Sequence, residues 1–135
     1  KKEKAKEKGT AGLLAAFTDS SVANLSSIAV LAEVGKKRIL LTGDARGDKI
    51  LAGLELAGLL TKDEESTVHV DILKCPHHGS DRNIDPIFFR RIIADHYVFS
   101  GNGEHGNPER ETLKMFDSVM REPHGNHCAT SLIGR

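Results

Sequence analysis

Two short hydrophobic runs joined by a polar turn open the part of the chain that shows a clear pattern. Residues 28–32 are all apolar, residues 38–41 repeat the pattern, and the turn EVGKK between them contains a glycine. Continuous apolar runs of this length, bounded by a turn, are typical of buried strands. The pattern predicts a hairpin of two strands, the second of which runs directly into Thr42-Gly43-Asp44.

A helical pattern follows the hairpin, and a further strand follows the helix. Within residues 47–60 the large aliphatic side chains fall mostly on one helical face, and Asp48 is the predicted N-cap. Residues 68–75, VHVDILKC, are predicted to form a further strand. Proline cannot donate to a strand ladder, so Pro76 is expected to end this strand.

The alternation of strands and helices continues as far as residue 120. Asp85-Pro86 predicts the start of a helix, with an N-cap followed by proline at the first helical position, and this helix is expected to reach Ile93. Residues 96–100 are predicted to be a short strand, and Asn107-Pro108 is predicted to start the last helix. Strands that alternate with helices indicate an α/β fold with right-handed crossovers.

The two ends of the chain lack this pattern. Residues 1–18 begin with KKEKAKEK and are predicted to be a lysine-rich solvated segment, while residues 122–135 are predicted to be an irregular tail. The tail contains His124, His127 and Cys128, which would form a zinc site only with a fourth ligand from elsewhere. A flexible terminus is the preferred interpretation, so the domain is placed at residues 19–121.

Composition and charge narrow the class of protein. The 135 residues include 19 basic and 19 acidic side chains, and this balance argues against a surface that binds nucleic acid over the whole molecule. The sequence has no apolar run of the length that a membrane span needs, so no membrane partner is expected. Two cysteines cannot form a disulfide framework, which favours a reducing compartment and predicts a cytoplasmic location.

Metal-capable side chains follow three successive predicted strands. Asp44 follows the first, His77 and His78 follow the second, and His105 lies in a glycine-rich loop after the third. If the strands are parallel, these residues meet at the carboxyl edge of the sheet, where ligands bind in α/β folds. Each alone has a simpler interpretation, a helix cap for Asp44 and solvent exposure for the histidines. Cys75 is predicted to be a small buried hydrophobe.

Three segments together resemble a known hydrolase family. They are SSVANLSSIAVLAEVGKKRILLTGDA, VDILKCPHHGSDRN and HYVFSGNGEHGNPERETL, and they look like the later half of a metallo-β-lactamase-fold hydrolase. Within that superfamily they most resemble the branch that includes the hydrolase domain of bacterial competence DNA-uptake proteins. The resemblance runs from about Asp19 to Met120, and it implies half of a four-layer αββα sandwich with a metal site at one edge.

The resemblance also implies roles for individual residues. The aspartate that bridges two metal ions in this family matches Asp44. The late histidine ligand matches His78, with His77 as its neighbour, although the assignment of His77 as the ligand and His78 as the neighbour stays open. The implied cofactors are divalent ions, zinc or manganese, in a dinuclear site of the full-length parent. Asn24 falls near the position where the family has an earlier histidine ligand. Contacts to the substrate or to a metal ligand are implied for His105, Ser80 and Asn24.

The sequence departs from this family in one respect that limits its function. The family's main metal motif, HxHxDH, is absent, so the chain offers roughly half of a dinuclear ligand set. The sequence therefore predicts the C-terminal half of a metal-dependent hydrolase of phosphodiester or related ester bonds, including those of nucleic acid. Without its N-terminal half it is expected to be catalytically incompetent. The alternative is a non-catalytic module that pairs, with itself or another chain, through an exposed sheet face.

Overall fold

A computed structural model describes residues 20–122 and the backbone of residues 130–133. Strands β1 (Val30–Val34) and β2 (Lys37–Leu41) form the predicted hairpin, which is antiparallel. Gly35 occupies the turn with a φ of 61°, a conformation that glycine adopts without steric cost. The hairpin prediction is therefore confirmed, with each strand displaced by one or two residues from its predicted bounds.

The remaining elements alternate between helix and strand. A short helix, α1 (Val22–Leu25), precedes the hairpin. After the hairpin come α2 (Gly47–Leu56), β3 (Val68–Lys74), a 3₁₀ turn (Pro76–Gly79), α3 (Pro86–Arg91), β4 (Ile92–Phe99), α4 (Arg110–Met120) and β5 (Thr130–Ile133). The chain thus has the α/β fold that the alternation predicts.

The five strands lie in the sheet in chain order, from β1 to β5. Strands β2 to β5 are mutually parallel, and Leu40 pairs with Leu73, which in turn pairs with Tyr97. Because every parallel connection moves one position in the same direction, right-handed crossovers place α2, α3 and α4 on a single face of the sheet. No helix among the described residues is long and apolar enough to cross a membrane.

Aromatic side chains fill the space between the sheet and these helices. Phe88, Phe89, Tyr97 and Phe99 are buried, and Phe116 packs against them. The Tyr97 and Phe116 rings meet edge to face with centroids 4.8 Å apart, a geometry that aromatic rings favour. The hydroxyl of Tyr97 donates to the carbonyl of Ile92, and burial raises the pKa of Tyr97 to about 12.

The burial pattern of the two central strands changes phase in the middle of each strand. In β3 Val70 is buried and then Leu73, and in β4 Ala94 is buried and then Tyr97, an interval of three residues instead of two. The amide of Ala94 donates to the Tyr97 hydroxyl. This hydrogen bond spans the two exposed residues, 95 and 96, that interrupt the alternation in β4. This shift turns Leu73 towards the helices and leaves Lys74 beside Leu41 of the neighbouring strand.

The face of the sheet opposite the helices is apolar and exposed. The large apolar side chains on this face, which we call the open face, are those of Val30, Val34, Ile39 and Leu41, which are exposed, and that of Ile72, which is half-buried. Val30 and Leu41 are paired across the hairpin, and their exposed fractions are 46% and 47%. The part of the chain that the structure describes therefore exposes large apolar side chains on this face.

The structure corrects two predicted helix starts and two predicted helix ends. Helix α2 ends at Leu56, whereas the predicted helix extends to Leu60. Helix α2 begins at Gly47 with Arg46 as its N-cap, so Asp48 lies in the first turn, where the Arg46 guanidinium binds its carboxylate. Helix α3 ends at Arg91, since Ile92 already pairs with Val68 in the sheet. The predicted N-cap at its other end is confirmed, because the Asp85 carboxylate accepts a hydrogen bond from the amide of Phe88.

The last helix also begins later than predicted, at Arg110. Asn107 and Pro108 pack instead against two glycines, and a Cβ atom at Gly101 would lie 2.3 Å from the carbonyl oxygen of Asn107. A Cβ atom at Gly79 would similarly lie 2.9 Å from Pro108. Only glycine at positions 79 and 101 therefore leaves room for Asn107 and Pro108 to approach the loops at the sheet edge this closely.

The predicted irregular tail contains a strand, which is a further correction. Residues Thr130–Ile133 pair in parallel with β4, with Thr130 opposite His96. The pattern of these four residues does not reveal a strand, because the strand depends on pairing with a neighbour that lies far away in the sequence. The predictions for residues 1–18 and for His124, His127 and Cys128 lie outside the described residues.

Candidate functional site

The loops that follow β2, β3 and β4 meet at one edge of the sheet. These strands are parallel, as the convergence hypothesis requires, so their carboxyl ends lie side by side. Oδ1 of Asp44, after β2, lies 3.6 Å from Nε2 of His78, after β3. Both side chains are partly exposed, so the pair lies at the surface with an open approach.

Two hydrogen bonds join the end of β2 to the end of β3. The Thr42 hydroxyl donates to the carbonyl of Lys74 (2.6 Å), and the Lys74 ammonium donates to the carbonyl of Gly43 (2.7 Å). Burial lowers the pKa of Lys74, while the carboxylate of Asp44, 3.9 Å away, acts in the opposite direction. A positive charge therefore borders the Asp44 carboxylate and holds the turn on which it lies.

The backbone of His77 and His78 adopts left-handed conformations that are uncommon outside glycine. Their φ angles are 43° and 56°, and each such residue costs about 1–3 kcal/mol. The amide of His77 donates to the Gly43 carbonyl (3.1 Å), and the Asn107 side chain donates to the His77 carbonyl (3.3 Å). These bonds from two neighbouring loops stabilise the strained turn.

The turn directs the two imidazole rings into different surroundings. Their centroids are 6.3 Å apart and their planes differ by 64°. Nδ1 of His78 lies 2.9 Å from the Ser100 hydroxyl, whereas Nδ1 of His77 lies 2.9 Å from Oδ1 of Asn83. His78 is therefore the histidine beside Asp44, and His77 belongs to a separate hydrogen-bonded group.

Two polar cavities lie next to these histidines. One, of about 470 Å³, is lined by His77, Ser80, Arg82 and Asn83 among others, and the second, of about 390 Å³, includes His78. Both cavities are also lined by His105 and Asn107. The structure thus brings together five of the six residues that the sequence singled out, Asp44, His77, His78, Ser80 and His105.

The sixth residue, Asn24, lies half-buried in α1. From this part of the chain it is Ser27 that reaches the Asp44 turn, since its hydroxyl accepts a hydrogen bond from the Asp44 amide (3.3 Å). A Cβ atom at Gly43 would lie 3.3 Å from Cβ of Ser27, so the two segments approach closely. Sequence reasoning missed Ser27 because the resemblance pointed to a histidine position three residues earlier.

Asn83 and Lys74 are two further residues of the site that sequence reasoning missed. Asn83 is fully buried and donates through Nδ2 to the main-chain carbonyl of Asp44 (3.3 Å), in addition to its contact with His77. Both residues lie within the quoted segment VDILKCPHHGSDRN. Their position in the sequence between the metal-capable residues could have indicated that they belong to the site. They were not singled out because neither asparagine nor lysine is a typical metal ligand.

The described residues supply only part of a metal site. Within residues 20–122 and 130–133 there is no group of three or more His, Cys, Asp or Glu side chains placed to hold a metal ion. Asp44 and His78 together offer one carboxylate and one imidazole, against the four ligands typical of zinc. Cys75 is buried as predicted, and burial raises the pKa of its thiol, which favours the protonated form.

Comparison with known proteins gives a short partial match. No family model matches the chain, and no solved structure matches it. Microtubule-associated protein 1A from rat and from mouse is 45% identical to it over 47 residues, which are 34% of this chain. The human protein of the same name gives the same identity over the same length. The chain spans only 2% of the length of these curated relatives, so the match assigns neither a family nor an activity.

Proposed function

We propose that this chain is the C-terminal half of a metal-dependent hydrolase with the metallo-β-lactamase fold. The observation that carries the proposal is the placement of Asp44 and His78, 3.6 Å apart, at the carboxyl ends of adjacent parallel strands. Their loops carry the motifs LLTGDA and PHHGS, on which the resemblance rests. The proposed substrates are phosphodiester or related esters.

Each of these two residues has a definite task in this proposal. The Asp44 carboxylate has two oxygens and would bridge two divalent ions, and the His78 imidazole would bind one of them. Zinc or manganese bound there would supply a water of lowered pKa as the nucleophile. The other ligands must come from a segment with the missing HxHxDH motif, so the chain alone is expected to bind metal weakly and not to catalyse.

The surroundings of the pair suit a polar substrate. Lys74 lies on one side of Asp44, and His105 lines the cavities beside both histidines. Amide and hydroxyl groups from Asn107, Ser80 and Ser100 line the same cavities. In the proposal His105 contacts the substrate, and Ser80 supports the turn that carries His77 by donating its amide to the His77 carbonyl.

The proposal can be tested by paramagnetic broadening of the NMR signals of the full chain during titration with Mn²⁺. A weakly bound paramagnetic ion broadens nearby amide signals, so the position of an incomplete site can be found without tight binding. We expect the strongest broadening around Asp44 and His78. Asp44→Asn should weaken this binding at least about tenfold, because the amide removes the anionic ligand.

The chain supplies a matched control for this experiment. His69 and Asp95 also form an exposed histidine–aspartate pair, with Nε2 and Oδ1 2.9 Å apart, but they lie away from the carboxyl ends of the strands, where Asp44 and His78 are found. Asp95→Asn should leave the broadening at Asp44 and His78 unchanged. Broadening that is centred elsewhere, or that Asp44→Asn does not reduce, would contradict the assignment of the metal ligands.

The open face favours a second candidate function, that of a non-catalytic module which associates through its sheet. Val30, Ile39 and Leu41 form a contiguous exposed apolar surface, which is typical of interaction sites. Self-association would bury these side chains without a metal. In that case size-exclusion chromatography should show a dimer that is indifferent to a chelator and that Leu41→Lys converts to a monomer. A monomer with and without the chelator would contradict this second function.

A further inference from the structure

The ammonium of Lys74 reaches the turn that carries Asp44 from the neighbouring strand. Lys74 lies opposite Leu41 in the parallel pairing of β3 with β2, so its side chain leaves the sheet next to the end of β2. The ammonium donates to the carbonyl of Gly43 at 2.7 Å and lies 3.9 Å from Oδ1 of Asp44. The side chain of Lys74 is only 20% exposed, so water screens this charge less than it screens that of an ordinary surface lysine.

Hydrogen bonds between the two strand ends fix the position of this charge. The Thr42 hydroxyl donates to the Lys74 carbonyl at 2.6 Å, and the amide of His77 donates to the same Gly43 carbonyl that accepts from the ammonium. A surface lysine loses side-chain entropy when it forms an ion pair, which makes most such pairs weak. Here the hydrogen bond to Gly43 already restricts the Lys74 side chain, so the ammonium stays near Asp44 at little further entropic cost.

The carboxylate oxygen that faces Lys74 is also the oxygen that faces His78. Oδ1 of Asp44 lies 3.6 Å from Nε2 of His78 and 3.9 Å from Nζ of Lys74. A divalent ion held by Asp44 and His78 would therefore bring a second positive charge close to the ammonium. Like charges at short range repel each other, and the repulsion is stronger where water is partly excluded.

We propose that the Lys74 ammonium is the counter-ion of Asp44 in the metal-free chain and that it opposes the binding of a divalent ion to this carboxylate. The first part depends on the metal-free chain alone, whereas the second part rests on the proposed function. The charge of Lys74 and the small number of ligands then act in the same direction, and both keep the affinity of the isolated chain for metal low. The ligands of the N-terminal half would have to overcome this repulsion, so the site would load only after the two halves have met.

The second part is tested by the Mn²⁺ titration of the full chain, applied to variants of Lys74. Lys74→Met keeps most of the length of the side chain and removes its charge. We expect the Mn²⁺ concentration that half-broadens the signals around Asp44 and His78 to fall about three- to tenfold. Lys74→Gln should give a similar gain, because it also removes the charge but can still donate a hydrogen bond to Gly43. It is the second variant in case Lys74→Met does not fold.

Lys49 supplies the matched control. Its ammonium also lies 3.9 Å from an aspartate oxygen, Oδ2 of Asp48, but it belongs to helix α2 and its side chain is 62% exposed. Lys49→Met changes the net charge of the chain by the same amount as Lys74→Met, so it separates a local effect from an effect of overall charge. We expect Lys49→Met to leave the affinity for Mn²⁺ unchanged to within about twofold.

The first part is tested without metal, by urea denaturation in the presence of a chelator. Lys74→Met should lower the free energy of unfolding more in the unmodified chain than in an Asp44→Asn variant, because the ion pair exists only in the former. Lys74→Gln should show the same dependence on Asp44. Lys49→Met should have equal effects in the two backgrounds.

Either of two results would overturn the inference. One is an effect of the Lys74 variants on unfolding that is equal with and without the Asp44 carboxylate, since the two groups would then not interact. The other is an affinity for Mn²⁺ that folded Lys74 variants leave unchanged or lower. Failure of the proposed function is a different result, namely broadening that Asp44→Asn does not reduce, so the two failures are distinguishable.

Discussion

Both faces of the sheet carry large hydrophobic side chains, but helices cover only one of them. On the helix-covered face Leu73, Tyr97 and Phe99 are fully buried, and the rings of Tyr97 and Phe99 each pack edge to face against Phe116 of helix α4. On the open face Ile39 and Leu41 remain at least 36% exposed. The comparison teaches that the hydrophobic pattern identifies which residues are suited to burial, whereas the covering element decides which of them contribute to the stability of this chain.

The largest expected effect comes from truncation of a side chain that packs between the sheet and its helices, such as Phe89 of helix α3. Phe89→Ala should lower the free energy of unfolding by about 3–5 kcal/mol, because Phe89 is 1% exposed and its removal leaves a cavity. Leu41→Ala on the open face should lower it by no more than about 1 kcal/mol, because Leu41 already contacts water. Urea denaturation followed by circular dichroism measures both values.

Equal decreases in the free energy of unfolding for Phe89→Ala and Leu41→Ala would contradict the difference between the two faces. They would mean that the open face is covered in solution. Repeating the denaturation at lower protein concentration then identifies self-association, since only a contact between two chains weakens on dilution.

A smaller effect concerns the helix layer at Asp85. Burial raises the pKa of Asp85, and the Asp48 carboxylate raises it further, although the hydrogen bond from Phe88 acts in the opposite direction. Its protonated form is therefore favoured by folding. The associated stability is complete below about pH 3.9, the ordinary value for aspartate, and is lost as the pH rises through the raised pKa.

Two substitutions separate the titration of Asp85 from its role as N-cap. Asp85→Asn retains a hydrogen-bond acceptor and does not titrate, so its free energy of unfolding should approach or exceed that of the unmodified chain as the pH rises. Asp85→Ala should lose about 0.5–2 kcal/mol at every pH, because the amide of Phe88 loses its partner. Urea denaturation between pH 3 and pH 7 measures the difference, and a constant gap between the unmodified chain and Asp85→Asn would contradict the raised pKa.

Asp71, in strand β3 of the sheet, should show the opposite dependence of stability on pH, because its pKa is lowered and not raised. The hydrogen bond from the Lys37 ammonium lowers the pKa of Asp71, and the backbone amide of Arg38 lowers it further. The stability that it contributes is present above about pH 3.9 and is lost as the pH falls through the lowered pKa. We expect the free energy of unfolding of the unmodified chain, relative to that of Asp71→Asn, to decrease on acidification. Relative to that of Asp85→Asn, it should increase on acidification.

Local signals correctly predicted the elements whose cause lies within a few residues. The apolar runs and the glycine turn predicted the hairpin, and the Asp85-Pro86 pair predicted the start of α3. The predictions failed where a contact with a residue far away in the sequence determines the secondary structure. Ile92 belongs to β4 because it pairs with Val68, and the tail strand exists because residues 130–133 pair with β4.

The candidate site shows the same division. The order of the elements was enough to place Asp44, His78 and His105 at strand ends, and the parallel strands bring their loops together as expected. The contacts of Asn83 and Lys74 could not be predicted, because an asparagine or a lysine gains such a role only when a neighbouring loop presents a carbonyl to it.

The sequence by itself determined the alternation of strands and helices, the apolar positions and the metal-capable residues, since these depend on side-chain chemistry and on spacing along the chain. Only the tertiary structure decided which apolar face is covered and which histidine lies beside Asp44. Those outcomes depend on the direction of the crossovers and on the strained turn at His77 and His78, which is held by hydrogen bonds from other loops. Contacts between segments far apart in the chain determine the direction of the crossovers and the conformation of this turn, so a local sequence pattern does not predict either of them.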